Sequence, residues 1–316
     1  IENFNLKKHH LTIEIGNNDG GMVRYLKDQG FNHLGVDPSK NVSDAAISKG
    51  VNMLNSFFSF ELSENIKNLY GKAKVFLSAN TLAHIPNLNS VFEGIENLLD
   101  DEGIYITEDP YQVDLFKKIS YDQIYDEHVF IFSLHSMNNI CNKYNFEIFD
   151  VEHLGTAGGS MRYYICKKGK RKISSNVCKY FSLEKKIDFF KNSTYIDFKN
   201  KCQKSKDNLV SLLEKISKKN IIAGYGATSK STTIFNYCQI DSNLIKYITD
   251  TTPTKINKLS PGMHIPICDY HFFNDNLPDY CFLGAWNHAK EIFKKEKNNF
   301  SSKGKWITHT PDPKMI

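Results

Sequence analysis

Two successive α/β domains, a Rossmann-like sheet followed by a second and smaller one, are what this 316-residue chain predicts. Three observations carry that expectation. Apolar runs alternate with amphipathic segments over residues 11–108, the β-α rhythm of a parallel sheet covered on both faces. The same rhythm resumes at Asn220 after a charged, Lys-rich stretch. A glycine-bearing strand-to-helix turn stands at the head of each series, at 16–21 and at 224–226. Such a turn lets a ligand approach the backbone, and the helix behind it offers free N–H groups and a positive dipole end. Two of them, about two hundred residues apart, suggest two nucleotide-like ligands brought together, as in a transferase.

In chain order, apolar runs predict strands at 11–15, 33–36, 51–54, 74–78 and 104–107. Helical patterns separate them, for instance at 21–28 and 89–99. Two further runs, 147–153 and 160–166, are joined through Gly158 and Gly159 and read as an antiparallel pair at the sheet edge. Five parallel strands ending in such a pair is the layout of a class I methyltransferase domain. Residues 183–218 carry Phe, Ile and Leu at helical spacing, which predicts one or two connecting helices. Strands at 221–223, 245–248, 280–283 and 305–307 make the second series, with turns at Ser260-Pro261-Gly262 and Leu277-Pro278-Asp279. The expected division is therefore 1–168, a helical connector at 169–218, and 219–316.

Composition excludes several classes. The net charge is only +5 and the lysines are scattered, so no basic block of the kind that binds nucleic acid is present. The densest basic stretch, 167–172, reads as a solvated connector. No apolar stretch approaches the roughly 20 residues that span a bilayer, and no signal peptide is visible. The seven cysteines are odd in number and widely spaced, without a C-x-x-C pair. That predicts reduced thiols, a cytoplasmic protein and no metal site within this chain. The chain starts at Ile1 and its first strand follows almost at once, so it is expected to be the remainder of a longer protein. No oligomeric state is legible.

The first turn reads Glu14-Ile15-Gly16-Asn17-Asn18-Asp19-Gly20-Gly21. Asn18 replaces the middle glycine of a dinucleotide fingerprint, and Glu14 and Asp19 would repel a pyrophosphate. Carboxylates here suit a cationic, hydroxyl-bearing ligand such as S-adenosylmethionine. Asp37 ends the second strand about twenty residues on, where it can accept from both ribose hydroxyls. With Gly16, Gly20 and Asn80 these residues form the expected cofactor set. The second turn, Gly224-Tyr225-Gly226-Ala227-Thr228-Ser229-Lys230, is free of acid and suits an anionic diphosphate. Asp250, at the end of the next strand, is placed to take a sugar or ribose hydroxyl. Between the two turns, Tyr125-Asp126-Glu127-His128 offers a phenol, a carboxylate and an imidazole in one loop. His is the side chain best poised near neutrality to abstract a proton.

The strings 14–20, 80–86, 125–128, 158–163 and 224–230 occur in this order and with similar spacing in the sugar C-methyltransferases, and the chain resembles that family over about residues 10–290. The resemblance implies a class I methyltransferase domain binding S-adenosylmethionine, followed by a smaller Rossmann-like domain for a nucleotide-diphospho keto-deoxysugar. It implies His128 as the base, with Tyr125, Glu127 and a second histidine, His84, in the active site. On the substrate side stand Tyr225, Gly226, Thr228, Lys230 and Asp250, with Ser160 and Arg162 of the 158–163 string. Two departures stand out. The N-terminal zinc-binding module usual in the family is absent from this chain, and Ala157 replaces the histidine usual before Gly158-Gly159-Ser160. The alternatives are an NAD-dependent sugar oxidoreductase or epimerase using the second turn, and a non-catalytic remnant that binds nucleotide-sugars.

Overall fold

The computed structural model describes residues 4–316, and its packing separates into two compact units. The first holds the chain up to Gln112 together with Val129–Gly155 and Gly159–Ile187. The second holds Val113–His128, Thr156–Gly158 and Asp188–Ile316.

In the first unit, β1 (Thr12–Ile15), α1 (Gly21–Asp28), β2 (His33–Asp37), α2 (Lys40–Ser48), β3 (Met53–Asn55), α3 (Phe60–Tyr70), β4 (Ala73–Ala79), α4 (Leu88–Leu98) and β5 (Leu99–Pro110) keep the expected alternation. After α5 (Gln112–Lys118), which packs in the second unit from Val113 on, the first unit resumes with α6 (Leu134–Lys143), β6 (Phe146–Leu154), β7 (Ser160–Lys167) and α7 (Ser175–Ile187). The sheet order is β3-β2-β1-β4-β5-β7-β6, with the first five strands parallel and β7 antiparallel to both of its neighbours. Every residue of β1 and β2 is buried, as a strand covered on both faces requires. Local chemistry sets the helix ends. Ser59 Oγ accepts the Leu62 N–H at 3.2 Å to start α3, and Gly71, at φ 78°, stops it. Aromatic edges fill the core: Phe76 meets Phe58 and Tyr105 at 5.7 and 6.4 Å, and Phe92 meets Tyr105 at 6.1 Å.

A buried carboxylate ties α7 into this unit. Glu184 accepts the N–H groups of Leu134 (2.6 Å) and His135 (3.0 Å) in the first turn of α6, and the Tyr111 hydroxyl at 2.8 Å. His135 Nδ1 lies 2.6 Å from the same carboxylate. A negative charge at a helix N-terminus satisfies orphan donors and complements the dipole.

The second unit contains α8 (Asn192–Ser217), β8 (Ile222–Tyr225), α9 (Ser229–Cys238), β9 (Ile248–Thr249), β10 (Ile267–Cys268), α10 (Tyr270–Asp275), β11 (Tyr280–Leu283), α11 (Ala289–Glu296), β12 (Lys305–Thr308) and β13 (Lys314–Met315). Its sheet order is β10-β9-β8-β11-β12-β13, parallel except for the last pair. Tyr225, Phe273, Phe300 and Trp306 form its core with Cys281.

The two Rossmann-like sheets agree with the sequence reading, and three details differ from it. β9 is two residues long instead of four, and the equally short β10 and β13 were not anticipated. Pro266, which has no N–H to give, bounds β10, and a two-residue strand leaves no periodicity to detect. The 169–218 stretch holds two helices, within the one or two expected, but it is not a single connector: split at Asp188 with φ 59°, its α7 packs in the first unit and its α8 in the second. A cut at residue 168 assigns 113–128 to the first domain, whereas this segment packs in the second unit. There Tyr121 lies 5.2 Å from the Tyr237 ring, with its hydroxyl 3.7 Å from Cys238 Sγ. All seven cysteines are free thiols. Among the described residues no helix is long and apolar enough to cross a membrane, and no three His, Cys, Asp or Glu residues converge to hold a metal.

Removing the Glu184 carboxylate strands several buried donors at once. Glu184→Ala is expected to destabilise the first unit by about 2–4 kcal/mol, with Glu184→Gln clearly milder, in denaturant unfolding followed by circular dichroism. Equal stability of Glu184→Ala and wild type would show that the α6–α7 tie is dispensable.

Candidate active site

The turn after β1 is shaped by left-handed backbone. Gly16 and Gly20 have φ of 69° and 86°, and a Cβ on Gly16 would fall 2.3 Å from Thr81 Oγ1. The turns after β1 and β4 therefore touch, at the point where the strand order reverses and open α/β sheets bind ligands. Asp37 is oriented by two backbone donors: Asn18 N–H to Oδ2 at 2.9 Å and Ser39 N–H to Oδ1 at 2.8 Å. Each oxygen keeps a further acceptor position, so the carboxylate is built to receive two hydroxyls. That is the donor set of an adenosyl ribose, and S-adenosylmethionine fits the turn.

The other two acids of this turn are engaged elsewhere, contrary to their expected part in receiving a cation. Glu14 is 4% exposed, and its Oε2 accepts the Val23 N–H at 3.1 Å in the first turn of α1. Burial pushes its carboxyl up to about 7, with the Val23 bond opposing and Asp37 adding to the rise. Asp19 lies in solvent with Oδ2 2.7 Å from Lys49 Nζ, whose hydrogen bond and charge hold its carboxyl below the usual range. Asn80 is an exposed left-handed residue, φ 51°, whose N–H donates to the Glu108 carbonyl at 2.7 Å.

His84 closes a short turn, Leu82–His84, that a fully buried acid holds in place. Asp109 Oδ1 accepts the Ala83 N–H at 3.2 Å, and its Oδ2 accepts the Thr107 hydroxyl at 2.9 Å. Behind Thr107 the chain of hydroxyls continues through Ser78 to Tyr105, each step 2.8 Å. Burial raises the Asp109 carboxyl to about 7 against these donors. No sequence motif marks this network, because β4, β5 and the Leu82–His84 turn bring its members together only in the fold.

In the second unit, His128 Nδ1 lies 2.7 Å from the Gln123 carbonyl, and a carbonyl can only accept. The proton of the neutral ring is thereby fixed on Nδ1 and the lone pair on Nε2, the arrangement of a general base. Tyr125 stacks on the ring at 4.1 Å and 28°. Burial raises the Tyr125 phenol, and Glu127 and Asp122 add to it. The loop is rooted on Asp122, fully buried, which accepts Trp286 Nε1–H at 2.6 Å with His309 Nε2 3.5 Å from the same oxygen. Burial alone would push Asp122 up, but His309, Trp286 and Lys230 together hold it below the carboxylate range.

One cavity of about 640 Å³ in this unit is lined by Tyr125, Asp126 and Glu127, by the Ala227–Thr228–Ser229 turn, and by Lys255 and Lys258. The volume lies in the ~300–1,000 Å³ range of ligand pockets. Thr228 caps α9 reciprocally with Ser231: Ser231 N–H donates to Thr228 Oγ1 at 3.0 Å, and Thr228 N–H to Ser231 Oγ at 2.9 Å. Gly226, φ 93°, gives its N–H to the Thr249 carbonyl at 2.8 Å. Asp250 accepts the Ala227 and Thr252 N–H groups, each at 2.8 Å, and so repeats in this unit the part of Asp37 in the first.

The remaining expected substrate residues are placed differently. Tyr225 turns its hydroxyl into the core, 2.9 Å from the buried Glu296. Lys230 Nζ donates to the Ala157 carbonyl at 2.9 Å and stands 5.0 Å over the Trp286 ring, and burial lowers its pKa. Ser160 and Arg162 belong to β7 of the first unit, where Arg162 pairs with Glu108 at 2.9 Å and Glu152 at 3.1 Å. Lys255 and Lys258 escaped the sequence reading because no motif marks the long β9–β10 connection.

Residues 155–311 match the C-methyltransferase C-terminal domain family, and residues 4–151 the methyltransferase domain family. The C-methyltransferase NovU of Streptomyces niveus is 29% identical over 318 aligned positions, covering 100% of this chain and 76% of that protein. A SAM-dependent methyltransferase from Anabaena variabilis is 15% identical, covering 52% of this chain and 80% of its own at a TM-score of 0.42. The magnesium protoporphyrin IX methyltransferase ChlM of Synechocystis, solved with bound SAH, is 16% identical, covering 50% and 74% at a TM-score of 0.40.

Two outcomes are expected. Asp37→Ala should weaken S-adenosylmethionine binding at least tenfold in calorimetry, since two charge-assisted hydroxyl bonds are lost. Unchanged affinity would remove Asp37 from the cofactor site. Folded Glu14 holds its proton up to about pH 7 and an unfolded one releases it near 4.5, so the folded state binds more protons between. Stability contributed by this group is therefore greatest at the acid end and is lost as pH rises from 4.5 to 7. Glu14→Gln should flatten that fall in unfolding midpoint. A wild-type and mutant pair with parallel pH profiles would contradict it.

Proposed function

We propose that this chain, similar to C-methyltransferases along its whole length, is an S-adenosylmethionine-dependent C-methyltransferase whose acceptor is a nucleotide-diphospho keto-deoxysugar methylated on the carbon beside the ketone. The observation that carries this reading is the cavity of the second unit, which unites the Tyr125–Glu127 wall with the glycine turn and two lysines. A ligand with a hydroxyl-rich reacting end and an anionic end matches both walls at once.

S-adenosylmethionine, when bound, supplies an electrophilic methyl group on a sulfonium. The protein's part begins with a ketone, which acidifies the neighbouring C–H. His128 Nε2 takes that proton, and the Gln123 carbonyl steadies the imidazolium through Nδ1–H. Tyr125 donates to the enolate oxygen, and its raised pKa keeps the phenol protonated for that task. The electron pair left on carbon would accept the methyl as its bond to sulfur breaks, the C–S pair staying on sulfur in the departing S-adenosylhomocysteine, and His128 would then return its proton to solvent. Glu127, exposed on the cavity wall, accepts from a sugar hydroxyl. On the cofactor side, in the first unit, Asp37 receives the ribose hydroxyls, and His84 stands on the turn that Asp109 holds.

His128→Asn keeps the shape of the side chain and removes its basicity. We expect both ligand affinities to stay within a few fold and kcat to fall ~10²-fold or more, measured as gain of one methyl mass on a nucleotide keto-sugar. Methylation at near the normal rate would move the base elsewhere, with Tyr125 the first residue to test. No methyl gain by wild type on any nucleotide keto-sugar would sink the acceptor class.

A further inference from the structure

We propose that the cation holding the acceptor's diphosphate is Lys258, on the segment between β9 and β10, and not Lys230 of the glycine turn; the inference rests on the nucleotide-sugar reading of the same cavity. Lys230 is spent on structure. Its ammonium donates to the Ala157 carbonyl and covers the Trp286 ring, and neither of those residues lines the cavity. Together with Lys118 Nζ, which bonds the Gly158 carbonyl at 2.5 Å, it pins the left-handed 157–158 backbone. A buried ammonium already satisfied by a carbonyl loses that bond if it swings to a phosphate.

Lys255 and Lys258 are the two cations in the cavity wall, and they differ in commitment. Lys255 Nζ donates to the Ala227 carbonyl at 2.8 Å and stands 3.7 Å from Asp250 Oδ2, so it fixes the turn and offsets the acid beside it. Lys258 is exposed, and its ammonium has no carboxylate or hydrogen-bond partner among the described residues. Its backbone is nonetheless fixed. The Lys258 N–H donates to the Lys255 carbonyl at 3.2 Å, and the Lys258 carbonyl accepts the Ile267 N–H at 2.8 Å. An uncommitted cation on a fixed backbone, facing a cavity that also presents the Ser229 hydroxyl, is what a diphosphate needs. The acids of the cavity, Asp126 and Glu127, lie on the other wall segment. Charge thus sets the ligand's direction: diphosphate toward Lys258, sugar toward Tyr125 and Glu127.

Calorimetry on the full chain with thymidine diphosphate and uridine diphosphate as probes tests this. Lys258→Gln should weaken binding ~10-fold and reduce its salt dependence, Lys258→Arg should keep the affinity within about threefold, and Lys246→Gln, outside the cavity, should change nothing. Lys230→Gln should instead lower the melting temperature. An affinity for the probe within twofold of wild type in Lys258→Gln overturns the assignment. So does equal weakening by Lys246→Gln, or loss of affinity in Lys230→Gln at an unchanged melting temperature. A wild-type chain that binds neither diphosphate overturns the nucleotide-sugar reading and this inference with it.

Discussion

Where a buried parallel strand runs out into a turn, the turn's backbone N–H groups need partners, and each unit supplies one with an aspartate at the end of its second strand. Asp37 Oδ2 accepts from Asn18 at 2.9 Å and Asp250 Oδ2 accepts from Ala227 at 2.8 Å. In each unit the other oxygen takes an N–H two residues further on, from Ser39 or Thr252, at 2.8 Å. A carboxylate so placed locks the turn between first strand and first helix against the end of the second strand. Everything that defines a ligand site then follows: the open turn, the left-handed glycine, and the capped helix behind it. The units differ in what surrounds the acid. Asp37 is left with acceptor capacity, whereas Asp250 is answered by Lys255. The same scaffold therefore presents hydroxyl acceptors in one unit and positive charge in the other.

The loop that carries His128 adds a second constraint. Residues 113–128 leave the first unit's chain and are rooted in the second by Asp122, which Trp286 and His309 surround. A buried acid with a 2.6 Å indole bond holds the backbone that carries Gln123, and Gln123 in turn fixes the His128 tautomer. Burial, loop geometry and base chemistry are linked in that order. On the proposed reading, acceptor-side chemistry and acceptor binding belong to the same unit.

Much of this was legible in the sequence, for identifiable reasons. Buried parallel strands such as β1 and β2 are continuous apolar runs, and the glycine turns and Asp37 stand at fixed offsets from them. The sequence also singled out Tyr125 and His128 as candidates, since they sit three residues apart in one loop. Engagement was not legible. Nothing in the spacing tells that Glu14 turns back to Val23, that Asp19 pairs with Lys49, or that Lys230 bonds Ala157, because each partner is set by tertiary packing. The engagement of Asp109 and Asp122 was not legible for the same reason: Ala83 and Trp286 reach them from other elements. Lys258 lies on a connection without periodicity or motif.

The central claim is that one acceptor spans the second unit's cavity, with its sugar at the His128 loop and its diphosphate at the lysine wall. A crystal structure of the chain with S-adenosylhomocysteine and a nucleotide keto-sugar bound tests it most directly. The account predicts the carbon beside the ketone within about 3.5 Å of His128 Nε2 and the diphosphate within hydrogen-bond reach of Lys258. A nucleotide seated outside this cavity, or a sugar turned away from His128, would contradict it.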